Sequence, residues 1–143
     1  MPHVDVFETT FQKSEEWIHD IQRALGWDDP HRAYLALRAV LHTVRDRLPL
    51  AEANHLGAQL PMLLRGLYYE GWTPRDKPVK LSKNEFLLTV ASYFQNDRQI
   101  NAAALTRTVL DVIASRIDPM EFLKLPKLFP QDFAELWPLT AVR

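Results

Sequence analysis

The chain has 143 residues, of which 47% are hydrophobic and 24% charged, a balance typical of one globular domain with a core of its own. Its formal charge of −1 argues against a nucleic-acid binder that relies on a broad basic surface, because neutralisation of phosphates dominates such affinity. The sequence contains no cysteine, which excludes disulfides, thiolate metal sites and a cysteine nucleophile.

Two amphipathic helices are predicted in the first fifty residues. The first ends near Gly26, and its apolar residues recur at intervals of three, four and seven, as on one helical stripe. That stripe comprises Phe7, Phe11, Ile18, Ile21 and Leu25. Asp28-Asp29-Pro30 then has the pattern of a helix cap followed by proline in the first turn. The second helix carries on one face Tyr34, Leu37, Leu41, Val44 and Leu48.

Two more helices and a linker complete the first half of the chain. A short third helix is predicted over residues 50–57. Pro61 cannot lie inside a regular helix without losing a hydrogen bond, which places a break near Gln59 and a fourth helix from about Pro61 to Glu70. The segment 73–81 begins with two prolines among charged residues and is the predicted linker.

The second half has its own helix starts. Ser82-Lys83-Asn84-Glu85 has the pattern of a capping box, in which serine and glutamate satisfy each other's backbone amides. A helix is predicted over residues 101–116, and Asp118 starts a short helix that runs to about Leu125. A last helix is predicted near 131–137. No segment alternates with a period of two, so the chain is predicted to be all-α.

The halves of the chain resemble each other. A shift of 69 residues aligns 14–72 with 83–141 without a gap, and 11 of the 59 pairs are identical. Matched pairs include Arg38 with Arg107 and Pro61 with Pro130. We therefore predict a single domain, 1–143, that is a helical bundle built from a tandem duplication of a four-helix unit. The two repeats should pack about a pseudo-two-fold axis.

One resemblance covers nearly the whole chain. The run from Ala33 to Trp72 contains Arg45-Asp46-Arg47-Leu48-Pro49 and Gln59-Leu60-Pro61, followed by Tyr69-Glu70-Gly71-Trp72. In this run the sequence resembles the bacterial domain of unknown function 2267 family. The resemblance implies a small prokaryotic helical domain. It supplies no reaction, cofactor or catalytic residue.

The residues that carry chemistry form no recognisable active site. A helical zinc pair needs histidines four apart, and no two of the five are so spaced: His3, His19, His31, His42 and His55. No serine lies in Gly-x-Ser-x-Gly, and the four glycines form no phosphate loop. We therefore expect no metal and no cofactor, and an enzyme ranks behind the two functions given below.

The charged residues that reappear 69 positions later in the chain include Glu16, Arg38, Arg47 and Glu52. They could form a polar binding site repeated by symmetry or an ion-pair brace between helices. The brace is favoured, since a shared scaffold would preserve the same charges in both copies. Arg47 would also be stabilised by the negative end of a helix.

Another four residues break the repeat and are the candidate binding residues: Arg65, Tyr69, Glu70 and Trp72. Aromatic residues and arginine are typical of interface hot spots, although the rings could equally cover the end of the core.

The predicted function is a non-enzymatic protein-interaction or scaffold module, with a protein partner or a second copy as the occupant of its surface. The alternative is a carrier of a small apolar ligand in a groove between the halves, as helical bundles can be. No nucleic acid, membrane or metal is expected as a partner. The absence of a membrane-length apolar run and of a signal-peptide pattern in the first residues favours a cytoplasmic location.

Overall fold

A computed structural model describes residues 4–95 and 97–138, and within them every regular element is a helix. The all-α prediction is confirmed. The α-helices are α1 (Asp5–Leu25), α2 (Pro30–Arg47), α3 (Leu50–Ala58), α4 (Met62–Tyr69), α5 (Lys83–Ala91), α6 (Ala102–Arg116) and α7 (Pro119–Lys124). Short 3₁₀ helices occur at Pro74–Asp76, Ser92–Phe94, Pro126–Leu128 and Gln131–Leu136.

The helix ends follow local chemistry. The Asp29 carboxylate accepts from the backbone N–H of His31 at 2.9 Å, directly before Pro30 in the first turn of α2. At the start of α5, the Ser82 hydroxyl accepts from the Glu85 amide at 3.1 Å and the Glu85 carboxylate accepts from the Ser82 amide at 2.9 Å. These bonds lower the pKa of Glu85. The predicted caps are therefore present.

The closing segment of the chain and the first helix of its second half are both short. The last predicted helix, near 131–137, is a 3₁₀ helix at Gln131–Leu136. Its Phe133 and Leu136 are buried, so the segment still closes the core. The first helix of the second half, α5, has nine residues, whereas α1 has 21.

Helix α2 lies at the centre of the molecule. It packs against α1, α4, α5 and α6. Leu37, Ala39 and Leu41 are completely buried, although Ala39 lies on the opposite face of the helix from the two leucines. A helix that is surrounded in this way is apolar around most of its circumference, which explains why its apolar residues are not confined to one stripe.

Only part of the apolar stripe predicted for α1 is buried. Phe7 and Phe11 continue the apolar stripe of Ile21, but they are 64% and 58% exposed. The buried part of α1 begins at Ser14 and includes Trp17. The stripe is therefore one helical face, of which only the C-terminal part is covered by other helices.

Candidate functional site

Arg65 lies on the exposed side of α4 and closes the end of α3. Its guanidinium donates hydrogen bonds to the carbonyl oxygens of Gly57 at 3.2 Å and Leu60 at 3.1 Å. The last carbonyls of a helix lack partners within the helix and lie at the negative end of its dipole. A cation at this point therefore stabilises the turn between α3 and α4.

Tyr69 and Trp72 are half-buried and lie together, with ring centroids 5.4 Å apart. The Tyr69 hydroxyl donates to Asn54 Oδ1 at 3.1 Å, which ties the end of α4 to α3. A Cβ atom added at Gly57 would lie 2.5 Å from the Tyr69 hydroxyl oxygen, so the close packing of these helices requires glycine. The indole Nε1 of Trp72 is buried and has no hydrogen-bond partner among the described residues.

Glu70 follows α4 and points to a different neighbour. Its carboxylate forms an ion pair with Arg38 of α2, whose guanidinium also donates to the Tyr34 hydroxyl at 3.1 Å. The bond from Arg38 lowers the pKa of Glu70, and the bond to Glu70 raises the pKa of Arg38. Glu70 remains largely exposed despite this pairing.

The four residues predicted from the sequence therefore do not converge on one point. Tyr69 and Trp72 form one aromatic pair, whereas Arg65 and Glu70 border two different grooves of the surface.

Two buried polar residues of α2, Arg45 and His42, hold the C-terminal end of α4, and sequence reasoning did not single them out. Nη1 of Arg45 donates to the carbonyl oxygens of Tyr68 at 2.6 Å and Glu70 at 2.9 Å. Nε2 of His42 lies 2.7 Å from the carbonyl oxygen of Leu67, which makes that nitrogen the donor. Both side chains are thus structural braces.

The surroundings of His42 favour its neutral form. Burial lowers its pKa, and its second ring nitrogen lies 3.4 Å from the Tyr93 hydroxyl. With Nε2–H donating to a carbonyl, Nδ1 accepts from the tyrosine. The signal in the sequence was a polar stripe on α2 at helical spacing, formed by Tyr34, Arg38, His42 and Arg45.

Two of the charged residues that reappear along the chain join distant segments. Glu16 of α1 pairs with Arg116 at the end of α6 at 3.2 Å, and Arg116 also reaches Asp20 at 2.6 Å. Nε of Arg47 donates to the carbonyl oxygen of Leu81 at 3.3 Å. The first contact joins α1 to α6, and the second holds the segment before α5 against the end of α2.

The start of α4 is capped by α1. Pro61 precedes α4 and offers no side-chain cap, but the Thr10 hydroxyl accepts from the Leu63 amide at 2.8 Å. Helix α1 therefore crosses the first turn of α4, and a groove opens on either side of the crossing. The larger, groove A, has a volume of about 720 Å³ and is lined by Trp17, Leu60 and Arg116, among others.

Groove B, on the other side, has a volume of about 360 Å³ and lies between α1, α2 and α4. Its apolar walls come from Phe11, Ile18, Leu63, Leu64 and Leu67. Ser14 also lines it, and the buried Ser14 hydroxyl has no hydrogen-bond partner among the described residues. The Arg38–Glu70 ion pair forms part of the lining.

The apolar side chains around these grooves form a continuous exposed surface, which we term the α1–α4 face. Phe11 and Leu63 line groove B together, and Val6 and Met62 line groove A together. Each member is more than half exposed, and the face consists of Val4, Val6, Phe7, Phe11, Met62 and Leu63. Contiguous apolar surface of this kind is typical of binding sites.

The histidines are dispersed. His19, His31 and His55 are exposed, His42 is buried, and His3 lies outside the described residues. Over residues 4–95 and 97–138, no three His, Asp or Glu side chains are grouped so that they could hold a metal ion. In the same part of the chain, no helix has the length and apolar character needed to cross a membrane.

Comparison with protein families matches residues 14–136 to the model described as "Uncharacterized conserved protein (DUF2267)". No curated protein sequence matches the chain significantly. The family match begins at residue 14, so the exposed turns of α1 that carry Phe7 and Phe11 precede it.

Proposed function

The chain belongs to the DUF2267 family, whose description assigns no activity, and we propose that it works as a non-enzymatic protein-interaction module through the α1–α4 face. The observation that carries this proposal is the contiguity of apolar side chains that are exposed although the core is otherwise closed. Phe7 at 64% and Phe11 at 58% are the largest of them. Exposed aromatic side chains offer much apolar area for a partner at low conformational cost.

The four binding residues predicted from the sequence can take part in the same interaction. Arg65 and Glu70 are exposed at the borders of grooves A and B, so either can contact a partner that covers α4. Tyr69 and Trp72 retain partial exposure beside them. They would extend the contact surface beyond the C-terminal end of α4.

The test is a pull-down from the native cell with the full chain and two matched double variants. Phe7→Ser/Phe11→Ser removes the aromatic side chains of the face. Leu88→Ser/Met120→Ser removes equally exposed apolar side chains elsewhere, since Leu88 is 70% and Met120 68% exposed.

We expect the wild type and the Leu88/Met120 variant to retain the same partner and the Phe7/Phe11 variant to lose it. Equal retention by all three proteins would show that the face is not an interface. Thermal unfolding of all three should coincide, because exposed side chains contribute little to stability.

A carrier of a small apolar ligand is the second candidate, and groove A favours it. The groove has the volume of a typical ligand pocket, and the exposed Val6 and Met62 give an apolar part to a lining that is otherwise largely polar. Native mass spectrometry of the chain purified from its own host tests this function. A bound small molecule that is lost on Met62→Ser, which changes an exposed side chain of the groove, would support it, and an unliganded mass would count against it.

The tandem duplication and its pseudo-two-fold axis are also proposed. Two contacts made by residues at equivalent positions support them: Arg116 in the second half reaches Glu16 in the first, and Arg47 in the first half reaches the carbonyl oxygen of Leu81, in the linker before α5. Arg47 and Arg116 are partners under the 69-residue shift. An experimental structure in which residues 14–69 fail to superpose on 83–138 would disprove the duplication.

The single-domain organisation, with residues 73–81 as a linker, is part of this proposal. The Val79 amide donates to the carbonyl oxygen of Asp46 at 2.7 Å, which supports a linker held against α2.

A further inference from the structure

Groove B has the form of a pocket that reaches the core. Ser14 of α1 and Leu64 of α4 line it and are each only 4% exposed, whereas Phe11 and Leu63 line it and are more than half exposed. Part of the lining therefore lies deep, and part lies at the rim. The volume of about 360 Å³ is in the range of pockets that hold small molecules. A molecule of this size would cover the two exposed apolar side chains at the rim.

Two hydroxyl groups in the lining have protons without an acceptor. The Tyr34 hydroxyl oxygen accepts from Arg38 at 3.1 Å, and its own proton has no acceptor among the described residues. The Ser14 hydroxyl has no hydrogen-bond partner in the same part of the chain. The His31 ring stacks on Tyr34 with centroids 5.5 Å apart, so the tyrosine is held in place. Because polar groups removed from water ordinarily have partners, these hydroxyls suit a ligand that supplies a hydrogen-bond acceptor.

The charged groups of groove B are already paired within the protein. Arg38 binds the Glu70 carboxylate, and a carboxylate oxygen of Glu15 lies 3.5 Å from Nε2 of His19. A ligand carboxylate would thus meet two carboxylates and no unpaired guanidinium. A ligand ammonium group would compete with Arg38 for Glu70 and with His19 for Glu15. A neutral head group avoids both costs, since it leaves every charge with its present partner.

From the shape and the free hydroxyl protons we propose that groove B binds a small, neutral, amphipathic molecule with a carbonyl head group, of the class of esters, ketones and amides. Its apolar part packs against Ile18 and Leu67 and covers Phe11, and its oxygen atoms accept from the hydroxyls of Tyr34 and Ser14. This site goes beyond the proposed interaction function, because it needs no protein partner. It also differs from the carrier function of groove A in its place and in its requirement for an acceptor.

The test is an NMR titration of the isotope-labelled full chain at neutral pH with methyl octanoate, octanoate and octylamine. These probes share an unbranched alkyl chain and differ in the charge of the head group. Methyl octanoate should shift the amide signals of Ile18, Leu64 and Leu67 to saturation and leave those of Thr9 and Gln59, which line groove A, unchanged. It should bind at least about ten-fold tighter than either charged probe, because burial of a charge without a free partner is costly.

Variants of the chain test the head group and the apolar rim separately. Tyr34→Phe and Ser14→Ala should each weaken methyl octanoate by about three- to ten-fold, the worth of one neutral hydrogen bond. Tyr69→Phe is the matched control, since it removes the hydroxyl of a partly buried tyrosine outside groove B and should change nothing. Ser14→Ala should leave thermal unfolding unchanged, because its hydroxyl has no partner to lose. Phe11→Ser should weaken methyl octanoate, whereas Leu88→Ser, an exposed apolar control, should not.

Several outcomes would overturn the proposal. They are the absence of saturable shifts with methyl octanoate, equally tight binding of octanoate or octylamine, and wild-type affinity in either Tyr34→Phe or Ser14→Ala. Shifts confined to Thr9 and Gln59 would place the probe in groove A and support the carrier function instead. The pull-down with Phe7→Ser/Phe11→Ser answers a separate question: its failure removes the interaction function and leaves the ligand site of groove B standing.

Discussion

Replacement of Arg45 by methionine should destabilise the protein by about 3–5 kcal/mol. The Arg45 side chain is 4% exposed, and its Nη1 atom serves the carbonyl oxygens of Tyr68 and Glu70. Hydrogen bonds to charged groups contribute about 1.5–3 kcal/mol each, and the carbonyl of the buried Tyr68 would be left without its donor. Methionine retains most of the apolar stem, so the loss reports the polar contacts and not a cavity.

Urea unfolding of Arg45→Met and of Arg75→Met, an exposed control in the linker, measures this loss. Hydrogen exchange supplies the local readout: amides in the last turn of α4 should lose protection before those of α2, since only α4 loses its anchor. A loss below about 1 kcal/mol, or uniform exchange across the two helices, would refute the role assigned to Arg45.

Three further predictions concern stability. Burial lowers the pKa of His42 below 6.5. The contribution of His42 to the free energy of unfolding is therefore fully present above pH 6.5 and falls as the pH drops from 6.5 toward the folded-state pKa. Urea unfolding of His42→Gln should show a weaker dependence on pH between 6.5 and 5 than the wild type, and parallel curves would contradict this. Gly57→Ala should lower the free energy of unfolding by up to about 2 kcal/mol, because the added Cβ would lie 2.5 Å from the Tyr69 hydroxyl oxygen, and this outweighs the gain in helix propensity. A more stable variant in urea unfolding would mean that the Tyr69 side chain moves aside freely. Leu64→Ala and Phe133→Ala should each cost about 2–5 kcal/mol in urea unfolding, and unchanged midpoints would remove both closing segments from the core.

The helix starts could be predicted because their signals are local. Asp29 bonds to an amide two residues away, and Ser82 and Glu85 bond to each other across one turn. A cap is complete within four residues, so its pattern survives without any knowledge of the tertiary structure. The family resemblance was likewise carried by short runs, and the match over residues 14–136 confirms it.

The exposure of Phe7 and Phe11 could not be predicted from periodicity. An apolar stripe shows that one face of a helix is hydrophobic, but it does not show how far along the helix other elements cover that face. In α1 the residues that other helices bury begin at Ser14. The same stripe that buries Ile21 therefore leaves the two phenylalanines at the surface.

The roles of Arg45 and His42 could not be predicted from the sequence for a different reason. Their partners are backbone carbonyls of Leu67, Tyr68 and Glu70, more than 20 positions further along the chain. Every residue type presents the same carbonyl, so no feature of residues 67–70 marks them as acceptors.

Helix α4 owes its position to its neighbours at both ends, and this bears on binding. Thr10 of α1 accepts from the first turn, while His42 and Arg45 of α2 donate to the last. Its outer residues Met62 and Leu63 are thereby held in place although they are exposed. A surface fixed in this way loses little conformational entropy when a partner covers it, which favours affinity. Arg45→Met should therefore also reduce the amount of partner captured in the pull-down, although Arg45 lines neither groove A nor groove B.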